Sequence, residues 1–163
     1  MSDELGRKCV AELVQDVGTT VYPVGRLDRD SEGLLLLTND GELMNEILKA
    51  RNYHEKEHEV KVNRPVTNTF LKKMSSGVPI LDTVTRPCQV ERTGEKSFRI
   101  VLTQGLNRQI RRMCDLLGFK VVRLRRIAIG EITLGDLPRG KWRYLTNEEI
   151  AYLKNATKSE SER

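Results

Sequence analysis

No apolar run in this chain is long enough to cross a bilayer, and the opening residues Met1-Ser2-Asp3-Glu4-Leu5 lack the form of a signal peptide. A cytoplasmic protein is therefore expected. Cysteine is scarce: Cys9, Cys88 and Cys114 stand far apart with no Cys-x-x-Cys pair. That argues against a disulfide framework or a thiolate zinc site and leaves them as reduced core residues. There is no internal repeat and no linker, and 163 residues fit one domain with a sizeable core. Hydrophobic residues make up 38% and charged residues 31%, ordinary values for a protein in water. Acidic residues are nearly missing from one segment. Between Gln104 and Arg126, Asp115 stands alone against Arg108, Arg111, Arg112, Lys120, Arg123, Arg125 and Arg126. That segment supplies the whole excess behind the net charge of +5. Arginine clustered on an otherwise neutral chain suits a phosphate-rich partner.

What the chain does have is concentrated first in Gly25-Arg26-Leu27-Asp28-Arg29-Asp30-Ser31-Glu32-Gly33, followed by Leu34 to Leu37 and Thr38-Asn39-Asp40-Gly41. Four leucines closed by Asn-Asp-Gly read as a short, fully buried strand ending in a turn, so the loop before them is anchored to the core. Glycine at both ends of that loop permits backbone angles or a close approach that a side chain would forbid. Three carboxylates and two arginines between them exceed what a plain turn needs, although a solvated, salt-bridged loop would read the same way.

Along the chain, Val10, Leu13, Val14 and Val17 are spaced for a short helix, and Val21 to Val24 for a strand. Glu42 to Ala50 is expected as a helix capped by Asp40, with Leu43, Ile47 and Leu48 inward. The alternation ending Val60-Lys61-Val62 predicts an exposed strand. Thr67 should cap a helix through Leu71 and Met74 that Gly77-Val78-Pro79 stops. Strands follow at 84–92 and 97–103 around a hairpin at Thr93-Gly94-Glu95. Asn107 opens a helix with Ile110, Met113, Cys114 and Leu117 at core spacing, and with Arg108, Arg111, Arg112 and Asp115 on its other face. Two further strands are expected at 120–124 and 127–134. Thr146-Asn147-Glu148-Glu149 has capping-box form and starts a helix to about residue 154. The polar tail 155–163 is expected to be disordered.

His54-Glu55-Lys56-Glu57-His58 formally matches the zinc-protease pattern His-Glu-x-x-His. That chemistry needs both histidines one turn apart on a helix, with a third ligand from elsewhere. Here the match runs into a strand, where residues four apart are separated by roughly 13 Å. The chain also has no third histidine. No metal site is expected.

Gly-Arg-Leu-Asp-Arg-Asp-Ser-Glu-Gly-Leu-Leu-Leu-Leu-Thr-Asn-Asp-Gly, residues 25–41, resembles the signature of the RNA pseudouridine synthases. The likeness is to the branch that holds the enzyme of the small ribosomal particle and the B, E and F types of the large one. A second stretch, Gln104-Gly105-Leu106-Asn107-Arg108-Gln109-Ile110-Arg111-Arg112-Met113, resembles the same family and is closest to its F type. Leu124-x-Arg126 and Gly140-x-Trp142-Arg143-x-Leu145-Thr146 extend the likeness to about residue 153.

The resemblance implies an α+β fold, a mixed and largely antiparallel twisted sheet flanked by helices, with an active cleft across the sheet. It implies isomerisation of a specific uridine to pseudouridine in structured RNA, with ribosomal RNA, and within it the large-subunit RNA, favoured. Neither metal nor cofactor is required, and a monomer acting on RNA is expected. By the resemblance Asp28 is the catalytic residue and Arg111 its ionic partner. A fixed guanidinium would keep a partly buried carboxylate ionised and orient it through two hydrogen bonds. Arg26, Arg29, Arg108 and Arg112 would meet RNA phosphates. Lys56-x-His58-x-Val60 lies where the family has Lys-x-Tyr-x-Val, so His58 replaces a tyrosine that stacks on the target base. An imidazole can stack and can act as a base near neutral pH. The family's usual first strand with an Asn-Lys-Pro-like motif, and the S4-type domain that usually precedes it in this branch, have no counterpart in these residues. An RNA-binding or ribosome-assembly module of the same fold with impaired chemistry is the alternative reading.

Overall fold

A computed structural model describes residues 15–49 and 54–161. In chain order the strands and helices are β1 (Tyr22–Val24), β2 (Glu32–Gly33), β3 (Leu36–Thr38), α1 (Gly41–Lys49), β4 (Lys56–Val62), α2 (Asn68–Ser76), β5 (Pro79–Ile80), β6 (Thr83–Val84), β7 (Gln89–Gly94), β8 (Ser97–Leu102), α3 (Gln109–Leu116), β9 (Val121–Ile129), β10 (Ile132–Thr133) and α4 (Asn147–Ser161). The expected N-terminal helix lies outside the described residues except for its last part, where Gln15–Val17 form a 3-10 turn. Packing divides the chain into two units, one drawn from Met1–Arg26, Leu35–Ala50 and Gly135–Arg163, the other from Leu27–Leu34 and Arg51–Leu134.

In the second unit, alternation along β4 and β8 turns Val60, Val62, Phe98, Ile100 and Leu102 to one face. Each of these is 5% exposed or less. Helices α2 and α3 cover that face with Phe70, Met74, Ile110, Met113 and Cys114. Phe70 meets Phe98 edge to face, ring centroids 5.3 Å apart, and lies 4.2 Å from Phe119. Burying one such side chain stabilises the fold by about 1.5–3 kcal/mol. Thr67 caps α2 as expected, its hydroxyl accepting the Phe70 amide at 3.1 Å.

The strand order is β10-β9-β4-β8-β7, with β2 also on β9. All the ladders of this sheet are antiparallel except β2 with β9, which is parallel. One edge of β9 faces β4, and the other is shared by β2 at Arg125–Arg126 and β10 at Ala128–Ile129. The result is an α+β fold on a mixed sheet.

Three expectations are corrected here. The strands expected at 120–124 and 127–134 are one strand to Ile129, because β4 pairs along Arg123, Arg125 and Arg126 although they interrupt the apolar run. The strand expected from 84 begins at Gln89. Val84 instead pairs back on Pro79 in a small ribbon, held by buried Thr85, which exchanges hydrogen bonds with Val78 at 2.8 and 3.0 Å. The four leucines are not one fully buried strand: Leu34 and Leu36 are buried, Leu35 and Leu37 half-buried, and only Leu36–Thr38 is extended in a ladder.

In the first unit, β1 pairs antiparallel with β3, from Tyr22 opposite Thr38 to Val24 opposite Leu36. Asp40 caps α1, Oδ1 accepting the Leu43 amide at 3.1 Å. The capping box of α4 is closed by Thr146 and Glu149, whose side chains accept each other's amides at 3.1 and 2.8 Å. α4 runs to Ser161 rather than stopping near residue 154, so the expected tail from 155 is helical that far. No glycine or proline interrupts Asn155 to Ser161. Among the described residues no helix is long and apolar enough to cross a membrane.

Candidate active site

The charged loop is bounded by two glycines of positive φ, Gly25 at 83° and Gly33 at 112°. Gly33 is required sterically as well, since a Cβ there would stand 2.2 Å from the Arg126 carbonyl oxygen. Beyond it the Leu34 amide donates to that same carbonyl at 2.8 Å. Within the loop the Ser31 amide donates to the Asp28 carbonyl at 2.9 Å, closing a turn over Asp28-Arg29-Asp30. The Asp28 side chain is 37% exposed, so an outside substrate can reach its carboxylate.

Two arginines from the start of α3 reach this loop, but they do not pair as expected. Arg108, left-handed at φ 47°, donates from Nη1 and Nη2 to the two oxygens of Asp30 at 3.0 and 2.8 Å. Its Nη1 also stands 4.0 Å from Asp28 Oδ2. Arg111 donates from Nη2 to the Asp30 carbonyl, and its Nε lies 3.4 Å from Asp30 Oδ2. Among the described residues the guanidinium pair therefore closes on Asp30, with Arg108, not Arg111, near Asp28. Hydrogen bonds from Arg108, helped by the Arg111 charge, hold the Asp30 carboxyl down at about 2. Motif spacing supplied the helix and its arginines; it carried no signal for which of two aspartates two residues apart would take the fork.

Of the expected phosphate contacts, Arg112 is turned to its own loop, donating to the Asn107 carbonyl at 3.0 Å and to Asn107 Oδ1 at 2.8 Å. Arg108 is committed to Asp30. Arg29 is exposed and, among the described residues, forms no ion pair. Arg26 is exposed too and belongs to the first unit.

His58 sits in β4 opposite Arg126 of β9 and Ile100 of β8. Its Nδ1 is buried with no hydrogen-bond partner among the described residues. Burial, then the charges of Arg126 and Lys56, push the imidazole down to about 3. The expectation of a base titrating near neutral pH is corrected accordingly: at pH 7 this ring is neutral and weakly basic. His54 lies on a bend and His58 on a strand, so the zinc-protease match has no helix. Among the described residues no three of His, Cys, Asp and Glu are grouped to hold a metal ion. Sequence reasoning missed Arg126, which is 8% exposed in the inward phase of β9 between Leu124 and Ala128. The signal was available: a charge where alternation demands an apolar residue.

Residues 3–116 match the family model described as RNA pseudouridylate synthase. The chain belongs to the RNA pseudouridylate synthase family. It is 53% identical over 133 residues to the dual-specificity RNA pseudouridine synthase RluF of Escherichia coli (strain K12), a match covering 82% of this chain and 46% of that protein. It is 42% identical over 152 residues to an uncharacterized RNA pseudouridine synthase of Aquifex aeolicus, covering 91% and 61%. A crystal structure of a pseudouridylate synthase superposes with a TM-score of 0.81 at 30% identity, covering 88% of this chain and 64% of that one. The F type was thus the right branch of the pseudouridylate synthases. The chain spans about half the length of the RluF proteins it matches, at 46%.

Proposed function

We propose that this chain converts a uridine to pseudouridine in structured RNA, with Asp28 as the nucleophile. The observation that carries the reading is a reachable carboxylate on a loop pinned at Gly33, with Arg108 Nη1 4.0 Å away, in a chain of the pseudouridylate synthase family. The reaction detaches uracil from its ribose, turns it and rejoins it through carbon. Attack at the ribose carbon expels uracil, and the turned base then displaces the carboxylate as its carbon bonds the sugar; attack at the base instead ends with elimination of the carboxylate after that bond has closed, and on either route the base carbon loses its proton while the nitrogen freed from the sugar gains one. The target base has to leave its stack to reach Asp28. Arg29 is an exposed cation for its phosphates, and Arg108 and Arg111 keep the loop's ionic frame charged. His58 offers a neutral imidazole beside the base. We place Arg111 one step back from the reaction, acting through Asp30. Ribosomal RNA is the favoured substrate, that of the large ribosomal particle ahead of the small, and a monomer in the cytoplasm with no metal or cofactor is sufficient. The RluF relatives are named dual-specificity enzymes, so the substrate pool tested should hold every structured cellular RNA.

A second reading rests on His58 in the tyrosine position: an RNA-binding module that has lost chemistry. Mapping pseudouridine at nucleotide resolution, with this chain and with Asp28→Asn and His58→Tyr, separates the two. Modification by wild type that disappears in Asp28→Asn is the expected outcome. Modification only by His58→Tyr marks the histidine as a lesion. RNA binding without modification by any of the three refutes the enzyme.

A further inference from the structure

Burying a guanidinium is unfavourable unless its donors are used, and a buried charge usually has a counter-charge. Arg126 is 8% exposed, yet among the described residues it forms no ion pair. What it holds is main chain. Its Nε donates to the Leu34 carbonyl at 2.8 Å, and its own carbonyl accepts the Leu34 amide at 2.8 Å. Its backbone also lies so close to Gly33 that a Cβ there would meet the Arg126 oxygen at 2.2 Å and nitrogen at 2.6 Å. Gly33 and Leu34, which together end the Asp28 loop, therefore both lie against this one arginine. Burial lowers the guanidinium only to about 10, so it remains a cation and a full donor at pH 7. Across the opposite edge of β9 the same residue faces His58.

We propose that Arg126 is a positioning residue for the Asp28 nucleophile: gripping Leu34 through its side chain and Gly33 through its backbone, it fixes the end of the loop from which Asp28 attacks. The inference rests on the reading of Asp28 given under Proposed function. A nucleophile displaced by about 1 Å loses roughly a hundredfold in rate. The side-chain half of the grip is a donor, so charge alone does not replace it, but another side chain with a donor can in part.

The test uses the full chain and an RNA that wild type modifies. Arg126→Met keeps length and burial and removes the donor, Arg126→Lys keeps a donor, and Gly33→Ala attacks the junction from the loop side. Single-turnover pseudouridine formation should fall about a hundredfold in Arg126→Met and in Gly33→Ala. Arg126→Lys should regain part of it. RNA affinity should stay within about threefold of wild type, the signature of lost placement rather than lost binding. Amide hydrogen exchange at Ser31 to Leu34 should speed up in the same variants while β4, β8 and α2 stay protected. A rate in Arg126→Met close to wild type overturns the proposal. So does equal loss of protection through β4 and β8, which would make Arg126 a support of the whole fold. If wild type makes no pseudouridine, the Asp28 reading fails on its own, and the grip is judged by exchange alone: unchanged protection of the loop in Arg126→Met overturns it, and selective loss supports it.

Discussion

Replacing His58 by leucine should remove a specific part of this protein's sensitivity to acid. In the folded chain the imidazole titrates at about 3, against an ordinary value of 6.5 that it regains on unfolding. Between those values the unfolded chain binds the proton and the folded chain does not. Stability is therefore intact above pH 6.5 and drains away as the pH falls toward 3, by about 1.4 kcal/mol per unit. At pH 5 the loss amounts to about 2 kcal/mol. That figure is set by the unfolded value and the pH, because the folded value lies far below both. The assay is urea unfolding of wild type and His58→Leu at pH 7.5 and pH 5, with slopes compared to check that the same surface is exposed. His54, also lowered by burial, and Asp30 and Glu149, both held down at about 2, titrate alike in the two proteins and cancel in the difference. Wild type should lose about 2 kcal/mol more than the variant between the two pH values. Equal losses would refute the reasoning, since they would mean that His58 takes its proton in the folded state.

Thr67→Ala should cost about 1 kcal/mol through loss of the hydroxyl that caps α2, read as a lower urea midpoint at unchanged slope. Glu149 is held down at about 2, first by hydrogen bonds from Arg143, at 2.7 and 2.9 Å. Its stabilisation is present above the ordinary carboxyl value of 4.5 and is lost as the pH falls through about 2. Glu149→Gln should therefore be less stable than wild type by about 1 kcal/mol at pH 7, with the difference closing in acid; a constant gap across that range would contradict the assignment.

What the sequence made legible was chiefly local. Asp40, Thr67 and the Thr146–Glu149 pair announce helix starts within three residues of themselves, and all three caps form where expected. The core face of α3 followed from spacing alone, and Ile110, Met113 and Cys114 are buried. Long-range pairing was not legible in the same way. Arg125 and Arg126 look like the end of a strand when read along the chain, and only the ladder to β4 shows that it continues. The site divided along the same line. Its loop and its arginines were named from motifs, but the choice of Asp30 over Asp28 depends on side-chain reach across 78 residues, which spacing does not encode.

The bond between Arg126 and Leu34 joins residues 92 apart, whereas β7 and β8 meet across a hairpin from Gly94 to Ser97. Closing a long span costs more chain entropy than closing a short one, and it is recovered only once the receiving surface exists. Among the described residues β2 pairs only with β9, so order at this end of the Asp28 loop depends on a strand far along the chain. A chain still assembling carries the loop's arginines and carboxylates from the outset, but lacks the distant contact that holds them in place.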